Sequence, residues 1–137
     1  MDVHEPEVRS YNMSQIKGKD TKPEMLVRKF LFSKGFRYRL HVKNLPGKPD
    51  IVLPKYKTVI FVHGCFWHGH EGCKYFVVPK TRTDWWLNKI KTNKSNDEKA
   101  IILLRKEHWK IIVLWECELK PAKVEQTLQM LRSKILK

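Results

Sequence analysis

The segment His63–Cys73, HGCFWHGHEGC, holds five of the nine cysteines and histidines (three Cys, six His) of the chain. It opens a stretch to Pro79 with neither a helical nor a strand period, and so long an irregular run needs a functional or metal-based reason to stay ordered. Cys65, His70 five residues on, Cys73 three further and the remote Cys117 form a Cys₃His set whose spacings fit a closed tetrahedral zinc site. Spacing does not choose between His68 and His70. The plainer alternative is that Cys117 is an ordinary buried thiol and that Cys65 and Cys73 are free. An odd number of cysteines argues against a disulfide framework.

Around this segment the pattern predicts one domain over 20–137, preceded by a basic arm over 1–19 without periodicity. Thr21 and Glu24 make a capping box with Pro23 in the first turn, so a helix follows, with Leu26, Val27, Phe30 and Leu31 on one face and Gly35 at its end. FRYRLHV alternates Phe36, Tyr38, Leu40 and Val42 with cations and His41, which predicts a half-buried strand. Asp50–Leu53 and Thr58–Val62 are two more strands, the latter apolar enough for two-sided burial. A helix capped by Thr81 or Thr83 carries Trp86, Ile90, Ile101 and Leu104, with Lys91–Lys99 as its exposed or kinked part. Lys110–Cys117 then reads as a buried strand, and a last helix from Pro121 presents Val124, Leu128, Leu131 and Ile135. The order α-β-β-β-α-β-α predicts a mixed sheet flanked by helices.

Charge narrows the partners. Twenty-eight Lys and Arg against 14 Asp and Glu give +14, while 42% hydrophobic residues supply a core, so the excess charge sits on a folded surface that attracts polyanions such as nucleic acid or anionic membrane. No stretch approaches the apolar length of a membrane span, and MDVHEPEVRSYN has no apolar signal region, so the cytoplasm is the expected compartment.

Asp50 follows Pro49 at the start of one strand, and the next strand leads into His63, so the two side chains meet at one sheet end in an antiparallel pair. Phosphodiester hydrolysis needs a hard cation such as Mg²⁺ on one or two carboxylates and a base for water, for which His63 or His68 is suited. Glu24 is a second carboxylate able to approach. The bland alternatives are an Asx turn for Asp50 and the capping box for Glu24. Phe66-Trp67 in the loop and Trp85-Trp86 among Arg82, Lys89, Lys91 and Lys94 suit base stacking or wedging beside phosphates, or else a small satellite core. Trp109 and Trp115 read as core.

HGCFWHGHEGC, with Pro49-Asp50 upstream, TRTDWWLNKI at Thr81–Ile90 and LWEC at Leu114–Cys117, resembles the very-short-patch repair (Vsr) mismatch endonucleases over nearly the whole chain from Asn12-Met13 onward. The resemblance implies a restriction-endonuclease-like fold of the PD-(D/E)XK type with a structural zinc site. It also implies a Mg²⁺-dependent enzyme that nicks DNA beside the thymine of T:G mismatches left by 5-methylcytosine deamination. Carried onto matching positions, Asp50 and the backbone carbonyl of Val62 hold Mg²⁺, His68 is the general base, His63 takes the usual lysine position and Glu24 supports the site. Phe61 replaces the usual acidic residue. Cys65, His70, Cys73 and Cys117 hold Zn²⁺. Phe66, Trp67 and Trp86 form the wedge, Met13 enters from the other side, and Lys89 and Asn93 contact the DNA. Expected partners are double-stranded DNA with a T:G mismatch and other mismatch-repair proteins, with no membrane, for a monomer on the nucleoid. The rival expectation is a non-catalytic, zinc-stabilised DNA-binding module.

Overall fold

In the computed structural model, which describes residues 21–137, the Thr21 hydroxyl accepts a 3.4 Å hydrogen bond from Glu24 N, and Pro23 sits where a missing N–H costs nothing. Helix α1 therefore runs Lys22–Ser33. Gly35, at φ +80°, turns the chain away. The arm expected over 1–19, and Met13 within it, lie outside the described residues.

The strand expected at Phe36–Val42 shrinks to one rung. Phe36, Tyr38, Leu40 and Val42 turn inward and their neighbours outward, yet only Arg39 pairs, with Val52, at N–O distances of 2.8 and 3.0 Å. The left-handed backbone of His41, φ 57°, ends the ladder, which requires extended residues. The sheet proper has β1 (Ile51–Leu53), β2 (Thr58–His63) and β3 (Lys110–Trp115) in the order β1-β2-β3. β1 pairs antiparallel with β2 around a 3₁₀ turn at Pro54–Tyr56, and β2 pairs parallel with β3.

The parallel pair requires a crossover, which helix α2 (Thr83–Lys106) supplies as 24 unbroken residues. Lys91–Lys99 runs through the helix without a break and is exposed or half-buried throughout. No threonine caps the helix: the Thr83 hydroxyl donates instead to the carbonyls of Pro79 (2.9 Å) and Lys80 (3.0 Å), and Arg82 enters the helix from a left-handed conformation. β3 is half-buried rather than fully buried, with only Ile112 and Leu114 inside, and it stops before Cys117, which sits in a 3₁₀ turn over Glu116–Leu119. Helix α3 (Val124–Leu136) closes the chain.

Strand periodicity divides the core. Ile51, Leu53, Ile60, Ile112 and Leu114 face Val27 and Leu31 of α1 and Leu131 and Ile135 of α3. Val52, Val59 and Phe61 face Leu104 of α2 on the other side. The result is a mixed sheet with helices on both faces. Among the described residues, no helix is long and apolar enough to cross a membrane.

Candidate active site and metal centre

The β1–β2 register, Ile51 opposite Ile60, brings Asp50 beside the end of β2. Asp50 N donates to the Ile60 carbonyl at 3.1 Å, and Val62 N donates to Asp50 Oδ2 at 2.6 Å. The Asx turn offered as the bland alternative is thus replaced by a contact across two strands. Burial pushes the Asp50 carboxyl up to about 7. The Val62 N–H opposes that rise, the Glu24 charge adds to it, and His68 and Arg28 partly offset it. Glu24, buried in the first turn of α1, accepts a 3.2 Å hydrogen bond from Arg28 Nη2. Two carboxylates thus lie close enough to repel, in a setting that rewards a cation.

At the end of β2 and in the loop that follows it, a second group assembles. The rings of His63 and His68 stack with centroids 3.8 Å apart and planes 5° from parallel. His68 Nδ1 donates to Asp97 Oδ2 at 2.6 Å. Burial and the neighbouring His68 lower His63 to about 4, so it is neutral through the physiological range. Its Nδ1 is buried without a hydrogen-bond partner among the described residues. Donor atoms of His63, His68 and Asp97 lie within 4.8 Å of one another. As stacked, however, the imidazole lone pairs occupy two separate parallel planes, so one ion cannot lie in both. The trio is better suited to proton handling than to chelation.

Asp97 belongs to no motif in the sequence. It lies in the polar middle of α2, and its one available signal is helical spacing, which puts it on the stripe of Ile90, Asn93, Ala100 and Leu104. A carboxylate on a buried stripe calls for a partner, and here the partner is His68.

Phe66, Trp67 and Trp86 form one aromatic cluster, with centroids 5.3 Å (Phe66–Trp67), 5.3 Å (Phe66–Trp86) and 5.7 Å (Trp67–Trp86) apart. Trp85 meets Trp86 edge-on at 4.7 Å. Asn93 Nδ2 donates to the Trp67 carbonyl at 2.8 Å, so Asn93 braces the loop, while Lys89 is exposed one turn earlier. Trp109 is half-buried and packs against the core cluster under α2, and Trp115 is half-buried.

The sulfurs of Cys65, Cys73 and Cys117 and a His70 ring nitrogen all lie within 4.8 Å of one another. A tetrahedral zinc with arms of about 2.3 Å to sulfur and 2.05 Å to nitrogen sets sulfur and nitrogen about 3.5 Å apart and two sulfurs about 3.8 Å apart. Cys117 Sγ and His70 Nδ1 are 3.4 Å apart. Cys117 N donates to Cys65 Sγ at 3.4 Å, a contact that favours thiolate, whereas burial without a cation pushes the Cys65 thiol up to about 12. The His70 ring lies flat on Trp115 at 4.0 Å. Gly69, at φ +60°, separates the two histidines. A Cβ there would come within 2.7 Å of Ile90 Cγ2, so only glycine lets the loop press onto α2 while His68 reaches Asp97 and His70 reaches the cysteines.

A family model described as DNA mismatch endonuclease Vsr matches residues 1–74. A type II nicking enzyme of Neisseria meningitidis serogroup A is 56% identical over 119 residues, 87% of this chain and 84% of the relative. One from Xanthomonas oryzae is 51% identical over 114 residues, 83% of each chain. The DNA mismatch endonuclease Vsr of Escherichia coli K12 is 43% identical over 119 residues, 87% of this chain and 76% of the relative.

Proposed function

The chain belongs to the Vsr family of DNA endonucleases, and from that premise we propose that it nicks the strand beside the thymine of a T:G mismatch in a Mg²⁺-dependent reaction. One observation carries the reading: Asp50 and the His68–Asp97 pair stand at the same sheet end, next to an aromatic cluster on a strongly basic protein. We read the sheet as the restriction-endonuclease-like PD-(D/E)XK core, with Pro49-Asp50 leading into β1 and Phe61 in place of the usual acid.

Asp50 and the Val62 carbonyl would hold Mg²⁺, since both offer the hard oxygen donors it prefers. When bound there, the ion neutralises charge that develops on the phosphate. Asp97 holds the Nδ1–H tautomer of His68, which leaves Nε2 free to take a proton from the attacking water. Neutral His63 fixes the His68 ring by stacking and adds no charge that would compete with it. Glu24 and Arg28 support Asp50. Cys65, His70, Cys73 and Cys117 would hold Zn²⁺ as a structural ion, closing the loop that presents Phe66, Trp67 and His68. Trp86 completes the wedge, with Lys89 and Asn93 beside it. A T:G pair opens at lower cost than a Watson–Crick pair, so wedge insertion selects it.

The decisive experiment incubates otherwise identical T:G and T:A duplexes with the protein and Mg²⁺. One nick in the thymine strand of the T:G duplex alone is expected. Equal cutting of both, or of neither, overturns the reading. Asp97→Asn should lower kcat by about 10²-fold with duplex affinity kept, because an amide N–H facing Nδ1 favours the tautomer whose Nε2 cannot accept a proton. Single-turnover rates at saturating protein check this, and a change below twofold would remove Asp97 from the proton path. Trp67→Ala should cut the T:G over T:A preference about tenfold, the worth of one stacking contact, and reduce total affinity less. Competition binding measures both quantities.

A further inference from the structure

Asp50 does not face open solvent. It lines an open cleft of about 410 Å³ together with Glu24, His41, Val42, Lys43, Lys48 and Pro49. Its lining is bipolar: two carboxylates, from α1 and from the residue before β1, and two lysines and a histidine from the 41–48 segment.

Two of those lining residues have a backbone that ordinary folding does not favour. His41 has φ 57° and Lys48 φ 47°, the left-handed region in which a Cβ crowds the following carbonyl oxygen. Neither position is a helix end, where such a φ terminates a helix. Gly47, at φ +73°, precedes Lys48, and a Cβ there would meet Ala100 Cβ at 2.7 Å, so this turn is clamped onto α2. Glycine at 48 would relieve the same strain at no steric cost, yet the chain places a lysine there, followed directly by Pro49 and Asp50. Strain retained by a clamped turn, at a residue that lines the cleft of the candidate active site, marks a side chain kept for what it contacts. The contact suited to two lysines lining one cleft with a pair of carboxylates is a phosphodiester backbone: the lysines offset repulsion between Asp50 and Glu24 and the incoming strand.

We propose that His41, Lys43 and Lys48 form a phosphate-binding wall that seats the backbone flanking the scissile phosphate of the cleaved strand. They are positioning residues, outside the wedge and both metal sets, and the proposal rests on Asp50 being the cutting centre. Lys48 has the central role, because it lines the cleft two residues before Asp50. Phosphate contacts hold register and carry no sequence information, so the wall adds grip without adding mismatch preference.

The test compares wild type with Lys48→Gly and Lys48→Arg, using fluorescence anisotropy on a matched duplex without Mg²⁺ across a salt series, and nicking kinetics on the T:G duplex. The binding arm does not depend on nicking, so failure of the mismatch reading remains distinguishable from failure of the wall. Lys48→Gly relieves backbone strain and should melt no lower than wild type, yet its slope of log affinity against log salt should flatten by about 0.9, one phosphate contact. The KM for T:G duplex should rise several-fold, with the T:G over T:A ratio kept, and Lys48→Arg should restore the slope. An unchanged slope overturns the proposal. So does a fall in kcat with KM unchanged, which would mean that Lys48 only tunes the charge of Asp50.

Discussion

Asp50→Asn is expected to abolish nicking and, in the same protein, to raise the thermal midpoint at neutral pH. The first effect follows from loss of the proposed anionic ligand for Mg²⁺. Transition-state charge stabilisation by such an ion is worth several kcal/mol, so a loss of at least about 10³-fold follows. The second follows from burial. Unfolded, Asp50 has the ordinary value of 3.8, and folded it is raised to about 7. Between those values the folded protein binds a proton that the unfolded chain does not, so this group's contribution to stability is intact below pH 4 and drains away as pH climbs toward 7. A shift of about three units corresponds to a ceiling of about 4 kcal/mol, and partial solvent access reduces it to roughly 2–3. Asparagine removes the charge yet keeps an oxygen to accept the Val62 N–H, whereas alanine would orphan that donor at a cost of about 1–3 kcal/mol. Scanning calorimetry without divalent ions should therefore show Asp50→Asn melting roughly 5–10 °C above wild type at pH 7.5, and the gap should close by pH 4. A variant that is inactive and also destabilised at pH 7.5 would mean that Asp50 is a structural acceptor rather than a ligand kept charged at a cost.

That opposition explains why Asp50 was legible from sequence and some of its neighbours were not. Pro49-Asp50 and the Cys-His segment are local, and their chemistry shows in residue type and spacing. His63 needed only the hairpin, because an antiparallel pair returns the end of β2 to the start of β1. Asp97 needed the third dimension. It meets His68 from 29 residues away, across the crossover helix, and its neighbours Asn96, Glu98 and Lys99 look like ordinary solvated surface. The Phe36–Val42 strand failed for a related reason. Its alternation does orient side chains inward and outward, but hydrogen-bond pairing depends on φ, and His41 adopts a φ that no alternation pattern reveals. Similarly, Thr83 has a capping residue's chemistry yet donates backward to Pro79 and Lys80, because Arg82 in the left-handed region already sets the helix entry.

Cys117→Ser is expected to do more damage than its place outside the catalytic groups suggests. Cys117 stands on the 3₁₀ turn after β3, and its sulfur lies 3.4 Å from His70 Nδ1. Of the four proposed zinc ligands it alone ties the 63–79 loop to the sheet, since Cys65, His70 and Cys73 all belong to the loop itself. Structural zinc in small sites contributes on the order of 10 kcal/mol of folding free energy, and losing one thiolate of four removes much of it. Phe66, Trp67 and His68 lie between Cys65 and His70, so slackening that short segment would misplace the proposed wedge and base together. Zinc content should fall from about one per chain to a small fraction, the thermal midpoint should drop by more than 10 °C, and T:G nicking should fall by at least about 10²-fold. Saturating Mg²⁺ should not restore nicking, because the defect lies in the loop and not at Asp50. Cys117→His separates loss of a ligand from loss of packing: an imidazole that recovers zinc should recover part of the melting temperature as well. A Cys117→Ser protein that retains full zinc and wild-type stability would sink the four-ligand assignment, and the order of the loop would then have to come from contacts such as the His70–Trp115 stack, the Asn93–Trp67 bond and the His68–Asp97 pair.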